Sequence, residues 1–416
     1  MAAGNQKIRK VKKLSQKLKL ATDPLEGDLE AYRYAFTDWL AGAIAGLEYA
    51  PVKKLHGSDM MHDVFQTAVS GHYLDFDDTY LPGMVHLSVP VAPAALITGA
   101  FHKATVGEVV QAYARGLESM GRFSRATNPA MYELGWHSTT VCGVVGSAVA
   151  SASFLCPSAV NEAALLSLTG AGGVLASFGS DAKSVQVGLS ALTGVSAAIA
   201  ASAGATTEAG LVNKDSGVIQ YYTGGRPYEF DDDVAIEQNW LKAYPCCLQT
   251  HTTVEASLIA RKRASGPISG PMRLRVSPLA RKAASYDEVE TPLQAKFSIS
   301  YVCALTLLTG APEVSSFDVL NEEAQALARQ IEIIVDPSLK EPEIVLQTVP
   351  GDSSTEIYID RALGSPQRPM TSEELSVKTK SLTGIDLLDF TADPSRTAAD
   401  LVAKLHDHQQ RVPNRH

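Results

Sequence analysis

The sequence is short of cysteine, of net positive charge and of any nucleotide or metal signature, and each shortage excludes something. Five cysteines in 416 residues, with Cys246 and Cys247 adjacent and no CxxC pair, cannot build a disulfide framework or an ordinary structural zinc site. Such sparse usage implies a reducing compartment, so a cytoplasmic protein is expected. Lys and Arg number 36 against 45 Asp and Glu, a net charge of −9. A nucleic-acid partner, which needs a basic surface, is therefore not expected. Walker, GxGxxG and Ser-His-Asp patterns are absent, and the RPYEF that follows Gly224-Gly225 makes no phosphate loop. Seven Lys or Arg lie between Lys7 and Lys19, but no apolar segment follows, so no secretory signal is expected. That stretch reads as a solvated terminus or as a basic amphipathic arm. Val185 to Ala205 carries no charge and is long enough to span a bilayer. Its Ala, Ser, Gly and Thr instead suit close helix packing inside a bundle, and no membrane partner is expected.

Apolar residues make up 45% and charged residues 19% of the chain, enough for large cores. At roughly 150 residues per domain, two to three domains are expected. From about Ala31 to Arg263 the pattern is helical: Val64, Phe65, Ala68 and Val69 recur at helix spacing, and 143–153 and 161–177 are dense in Ala, Gly and Ser. After SGPISGP (265–271) the period changes. Met272, Leu274 and Val276 alternate with arginines as in a half-buried strand, and Ile331, Ile333 and Val335 do the same. Residues 344–349 and 356–359 flank PGDSST and suggest a hairpin. Helical stretches at 293–309 and 321–330 lie between. The expected architecture is mainly α: a large helical domain, 1–265 with a C-terminal return over 385–416, and a smaller α+β domain over 266–384.

Four segments could carry chemistry. In SGHYLDFDDTY (70–80), followed by His86, the carboxylates of Asp75, Asp77 and Asp78 lie beside His72 and Thr79. Acids this close repel, so at least one must be cation-paired, hydrogen-bonded or raised in pKa. A divalent metal site, acid/base work and the orienting of a histidine are all open readings; so is a plain acidic helix start. The calcium-loop Gly and Glu are missing, which weakens the metal reading. In LGWHSTTVCG (134–143), His137 stands at a helix N-terminus with Ser138 or Thr139 as the cap, where its cationic form is disfavoured. Lys183, the lone cation of the run from Ala163 to Ala205, needs Asp181, another buried carboxylate or an anionic ligand as partner. In LKAYPCCLQTH (241–251), Lys242 precedes a proline turn and Cys247 offers a thiol, while Cys246 reads as a small core residue. Several His, Lys and Asp without a metal or nucleotide signature suit proton transfer on an anionic substrate.

The string HYLDFDDT with a His seven residues after its Thr, then GWHSTT, GSDAKSVQVG, KAYPCCLQTH and AKFSISY, resembles the MmgE/PrpD family in order and over nearly the whole chain. That family includes 2-methylcitrate dehydratase, cis-aconitate decarboxylase and iminodisuccinate epimerase. The resemblance implies a helical domain with an α+β lid, a homodimer, no metal or organic cofactor, and a small carboxylic acid as substrate. It implies a site between the domains, with Asp75, Thr79, His86, His137 and Tyr301 as catalytic residues. Lys183, Lys242, Cys247 and His72 would bind substrate. Cys247 stands where the decarboxylase branch carries a His, and Leu87 where a Pro is usual. The expected activity is a lyase taking a proton next to a carboxylate, foremost a dehydratase of a 2-methylcitrate- or alkylcitrate-like acid. Decarboxylation, epimerisation, a secondary-metabolism reaction on a larger substrate, and a non-catalytic ligand-binding role are the alternatives.

Overall fold

The computed structural model describes residues 27–411 apart from 53–54, 56–57, 209, 213–216, 350 and 353–354; the basic stretch Lys7–Lys19 lies outside the described residues. The chain is mainly helical, and its described residues form two large hydrophobic cores with two small satellite clusters.

The first core is a helical bundle. Helices α1 (Glu30–Gly46), α2 (Met60–Tyr73), α3 (Ser88–Phe101), α4 (Val106–Thr127), α5 (Ser138–Leu155), α6 (Val160–Ser167) and α7 (Ala182–Ser202) follow one another. Their starts are set by local chemistry. Asp59 accepts from the His62 N–H at α2, and Thr105 with Glu108 forms a reciprocal capping box at α4. Small residues let α5 and α7 approach closely: a Cβ on Gly194 would lie 2.4 Å from Ser147 Cβ. Val64, Ala68 and Val69 are buried, as their spacing predicts. Helices α5 and α7 are long and apolar enough to cross a membrane, but they are core helices here, 83% and 56% buried over their most apolar windows.

Three local expectations shift. The helix expected over 161–177 ends at Ser167, where Gly170, Gly172 and Gly173 (φ 123°) carry the chain off in short turns. The cap of α5 is His137 itself, and neither Ser138 nor Thr139 bonds to its first turn. A two-residue antiparallel ladder, β1 (Thr79–Tyr80) with β2 (Asn239–Trp240), occurs inside the helical half.

The second core begins at Cys246. It holds α8 (His251–Arg263), β3 (Met272–Val276), α9 (Ile299–Thr309), α10 (Glu322–Ala328), β4 (Ile331–Val335), β5 (Ile344–Gln347) and β6 (Glu356–Ile359). The sheet order is β4-β3-β5-β6. β3 is parallel to β4, with Leu274 opposite Ile333, and antiparallel to β5, with Leu274 opposite Leu346. β5 and β6 form the expected hairpin. Met272, Leu274 and Val276 face the helices, whereas Arg273 points out to Glu332 at 2.8 Å. The chain then returns through α11 (Ser372–Thr383), α12 (Leu387–Ala392) and α13 (Ala398–Arg411).

Both domain boundaries differ from 265/266 and 384/385. Val254, Ala256 and Ala260 of α8 are buried in the second core, because the helix presents its apolar face to α9 and the sheet. The return begins at α11, which packs on α1 and pairs Lys378 with Asp38 at 2.6 Å. Composition changes where the strands start, but the packing partner of a helix is not written in its composition.

Candidate active site

The end of α2 and the loop that follows collect the acidic residues. Asp75 takes the left-handed conformation (φ 54°), which an Asp tolerates better than most residues. The three carboxylates are then compensated in three different ways. Asp75 is cation-paired, with Oδ1 accepting from Lys183 at 2.6 Å and Oδ2 lying 3.2 Å from Lys242. Burial alone would raise its pKa, but the Lys183 and Lys242 charges outweigh that and hold it below the carboxylate range. Asp77 receives imidazole hydrogens. His72 Nδ1 and His86 Nδ1 lie 2.9 and 3.0 Å from its Oδ2. Those contacts overcome burial and keep it well below its ordinary value. Asp78 is structural, accepting from Ser88 N–H (3.0 Å), Ser88 Oγ (2.5 Å) and Asn239 Nδ2 (2.6 Å). Its pKa is raised, chiefly by burial.

His86 Nδ1 also lies 2.7 Å from the Asp78 carbonyl and 3.3 Å from Thr79 Oγ1. A carbonyl can only accept, so Nδ1 carries the hydrogen and Nε2 is the nitrogen that gains or loses a proton. His137 is different. It is buried, and among the described residues neither ring nitrogen has a hydrogen-bond partner. Its ring stacks near His72 at 6.2 Å and meets Phe178 edge-on at 5.1 Å. Burial first, then the neighbouring His72 and Lys183, push its pKa well below 6.5, in the direction its place at a helix N-terminus also favours. Lys242, although buried, is held above its ordinary pKa by Asp75.

These groups open on one interdomain cavity, partly open to solvent. Asp75, Thr79, His86, His137, Lys183, Lys242 and Cys247 all line it. Two residues expected at the site do not. His72 is not among the residues lining this cavity; its Nδ1 lies 2.9 Å from Asp77 Oδ2, whose other imidazole contact, His86, does line it. Tyr301 is buried in α9, and its hydroxyl accepts from the Asn321 N–H at 2.9 Å. The aromatic is spent on a loop contact because the hydroxyl faces the second core. The partner of Lys183 is Asp75 and not Asp181, whose carboxylate accepts from the Tyr73 hydroxyl at 3.1 Å. The Cys247 thiol is pushed up to about 11, by burial and Asp75, so it stays protonated at neutral pH and is no ready nucleophile.

The cavity also has lining that motif reading missed. Tyr132 brings a phenol whose pKa burial raises, so it stays a donor. Gln249 is buried there, with its Oε1 unpaired among the described residues. Leu81, Met84, Val85, Phe178, Leu248, Leu279, Ala283 and Phe297 make an extended apolar wall. Gln249 stands in the quoted LQTH string and was within reach of the sequence, but Tyr132 and the wall come from segments with no motif.

His72, Asp77 and His86 present ligand atoms within 4.8 Å of one another, so they could be asked to hold a metal ion. The same atoms already satisfy one another as hydrogen bonds, and an ion there would displace those bonds. The donor set fits a hydrogen-bonded His-Asp-His relay better.

Family comparison agrees with this arrangement. A model of the MmgE/PrpD N-terminal domain matches residues 56–231, and one of the MmgE/PrpD C-terminal domain matches residues 244–411. Among curated relatives, cis-aconitate decarboxylase of Mus musculus is 25% identical over 376 residues, 82% of this chain and 76% of the relative. Those of Homo sapiens and Aspergillus terreus are 24% and 25% identical, over 76% and 74% of this chain and 71% and 72% of theirs. With both domain models accounting for most of its length, the chain belongs to the MmgE/PrpD family.

Proposed function

We propose that this protein is a lyase that removes a proton from carbon next to a carboxylate, and that it dehydrates a 2-methylcitrate- or alkylcitrate-like acid. The observation that carries this reading is His137: a buried imidazole, neutral at pH 7, with both nitrogens unpaired at the wall of a cavity that also holds two ammonium groups. A proton next to a carboxylate is weakly acidic, so the dianion formed on its removal must be stabilised electrostatically. Lys183 and Lys242 together outweigh Asp75 by one charge and would hold a substrate carboxylate. His137 takes the carbon-bound proton. His86, hydrogen-bonded at Nδ1, gives the proton on Nε2 to the departing hydroxyl, which leaves as water. The apolar lining suits an alkyl substituent, which favours a substituted citrate over a bare tricarboxylate.

A second reading is decarboxylation of a cis-aconitate-like acid, which the names of the three relatives favour. There carbon dioxide leaves and a side-chain acid returns a proton to carbon. Incubation of candidate acids in deuterium oxide, followed by mass spectrometry, separates the two: loss of water, loss of carbon dioxide, or deuterium gain alone. His137→Ala should slow the reaction ~10²- to 10⁴-fold, the usual contribution of a positioned base. Full activity in that variant would refute the assignment.

A further inference from the structure

Three consecutive carbonyls at the site loop are each held by a buried lysine. Lys296 donates to Leu74 O at 2.6 Å, Lys242 to Asp75 O at 2.8 Å and Lys378 to Phe76 O at 3.1 Å. The three come from different parts of the fold. Lys378 is on α11 of the first domain, Lys242 follows β2 in the connecting segment, and Lys296 ends the short helix Pro292–Ala295 of the second domain. Lys242 and Lys378 have carboxylate partners in Asp75 and Asp38. Lys296 has none within 4.0 Å among the described residues, and its other near neighbour is the Phe317 ring at 5.4 Å.

Burying an ammonium group without a counter-ion is costly. At Lys296 burial lowers the pKa to about 8. What the lysine gains for that cost is one bond to the residue just before Asp75. Asp75 is in the left-handed region, which an L residue keeps only when its surroundings hold it there. Lys296 also reaches the cavity from the other side: its own carbonyl accepts from the Cys247 N–H at 3.0 Å, and the next residue, Phe297, lines the wall.

We infer that Lys296 is a positioning residue: by gripping Leu74 it makes the placement of Asp75 between Lys183 and Lys242 depend on docking of the second domain. With the second domain swung away, Leu74 O loses its donor. The loop can then relax, and Asp75 no longer bridges the two lysines. A cavity assembled only in the docked state keeps those charges paired until substrate is enclosed.

The test is Lys296→Met in the full chain, a near-isosteric change that removes the donor and a buried charge. The melting temperature should stay within a few degrees, while the crystal structure shows Asp75 at negative φ and parted from Lys183. Deuterium uptake at residues 74–80 should rise. On a turned-over substrate, kcat should fall ~100-fold, as expected when a catalytic group is misplaced by about 1 Å, with KM changed less. An unmoved Asp75 still bonded to both lysines would overturn the inference. If the Met variant does not fold, Lys296→Gln is read in the same way. Failure of both to fold would make Lys296 a folding residue and also overturn it. The inference rests on the proposed site, but the crystallographic readout needs no substrate. A wild-type protein inactive on every acid therefore counts against the proposed reaction alone.

Discussion

His251→Phe tests the physics that makes His137 a base, at a position outside the cavity. His251 is buried at the start of α8, edge-on to Tyr244 at 5.2 Å, with Nδ1 unpaired among the described residues and Nε2 3.4 Å from the Cys246 carbonyl. Burial, with Lys242 second, lowers its pKa from 6.5 to about 3. The folded state therefore keeps it neutral where the unfolded chain is protonated. Its contribution to stability is complete above pH 6.5 and is lost as pH falls from there toward 3. Near pH 5 the unfolded ring carries almost one proton and the folded ring almost none. The resulting slope is about 1.4 kcal/mol per pH unit, and about 5 kcal/mol over the whole interval. That is a large share of a typical domain's stability of about 5–15 kcal/mol. His72, lowered to about 4, and His137 act in the same sense. Asp38, raised to about 6 by burial, acts in the opposite sense. Because these terms partly cancel in the wild type, the difference between variants is the clean quantity. Calorimetric unfolding at pH 5 in buffers of different ionisation heat counts the protons taken up. The Phe variant should take up about one fewer, and its melting temperature should fall less steeply below pH 6.5. An unchanged count would mean that His251 is protonated in the fold, and would remove the reason for calling the similarly buried His137 neutral.

Lys183→Met should destabilise the protein by about 3–5 kcal/mol by denaturant titration, because Asp75 is left buried with Lys242 alone; adding Asp75→Asn should recover much of the loss. Tyr301→Phe should leave activity within about twofold and cost about 1 kcal/mol of stability, since among the described residues its hydroxyl bonds the Asn321 amide and it does not line the cavity; a large loss of kcat would return Tyr301 to the reaction. Cys247 should resist alkylation at pH 7 in the folded protein, because its thiol titrates near 11, and rapid labelling there would show a thiolate.

Much of the fold was readable along the chain. The alternation of Met272, Leu274 and Val276 is a local rule of strands, and it holds in β3. The small residues of α5 and α7 imply close-packed helices, and Gly194 against Ser147 is such a contact. The end of the helix at Ser167 was missed because glycines like those that break it also occur inside the neighbouring helices, as at Gly143 and Gly194. The domain boundaries were missed because α8 and α11 have no compositional mark that says which core they join.

At the site, residue types and order were legible, and seven expected residues share the cavity. Their division of labour was not legible. Asp75, Asp77 and Asp78 look alike in a string, yet one pairs with lysines, one with imidazoles and one with an amide and a hydroxyl. Tyr301 and His72 looked like site residues, and only the direction each side chain faces separates them from Tyr132 and Gln249. By itself the sequence determined the helical bundle, the small sheet, the acid/base inventory and the family. The first three follow from periodicity and residue chemistry, which act over a few positions, and the family from the resemblance of its motifs. The tertiary structure alone decided which imidazole is left unpaired, which lysine meets Asp75 and which wall is apolar, because burial and ion pairing join residues more than 100 positions apart and have no local signature.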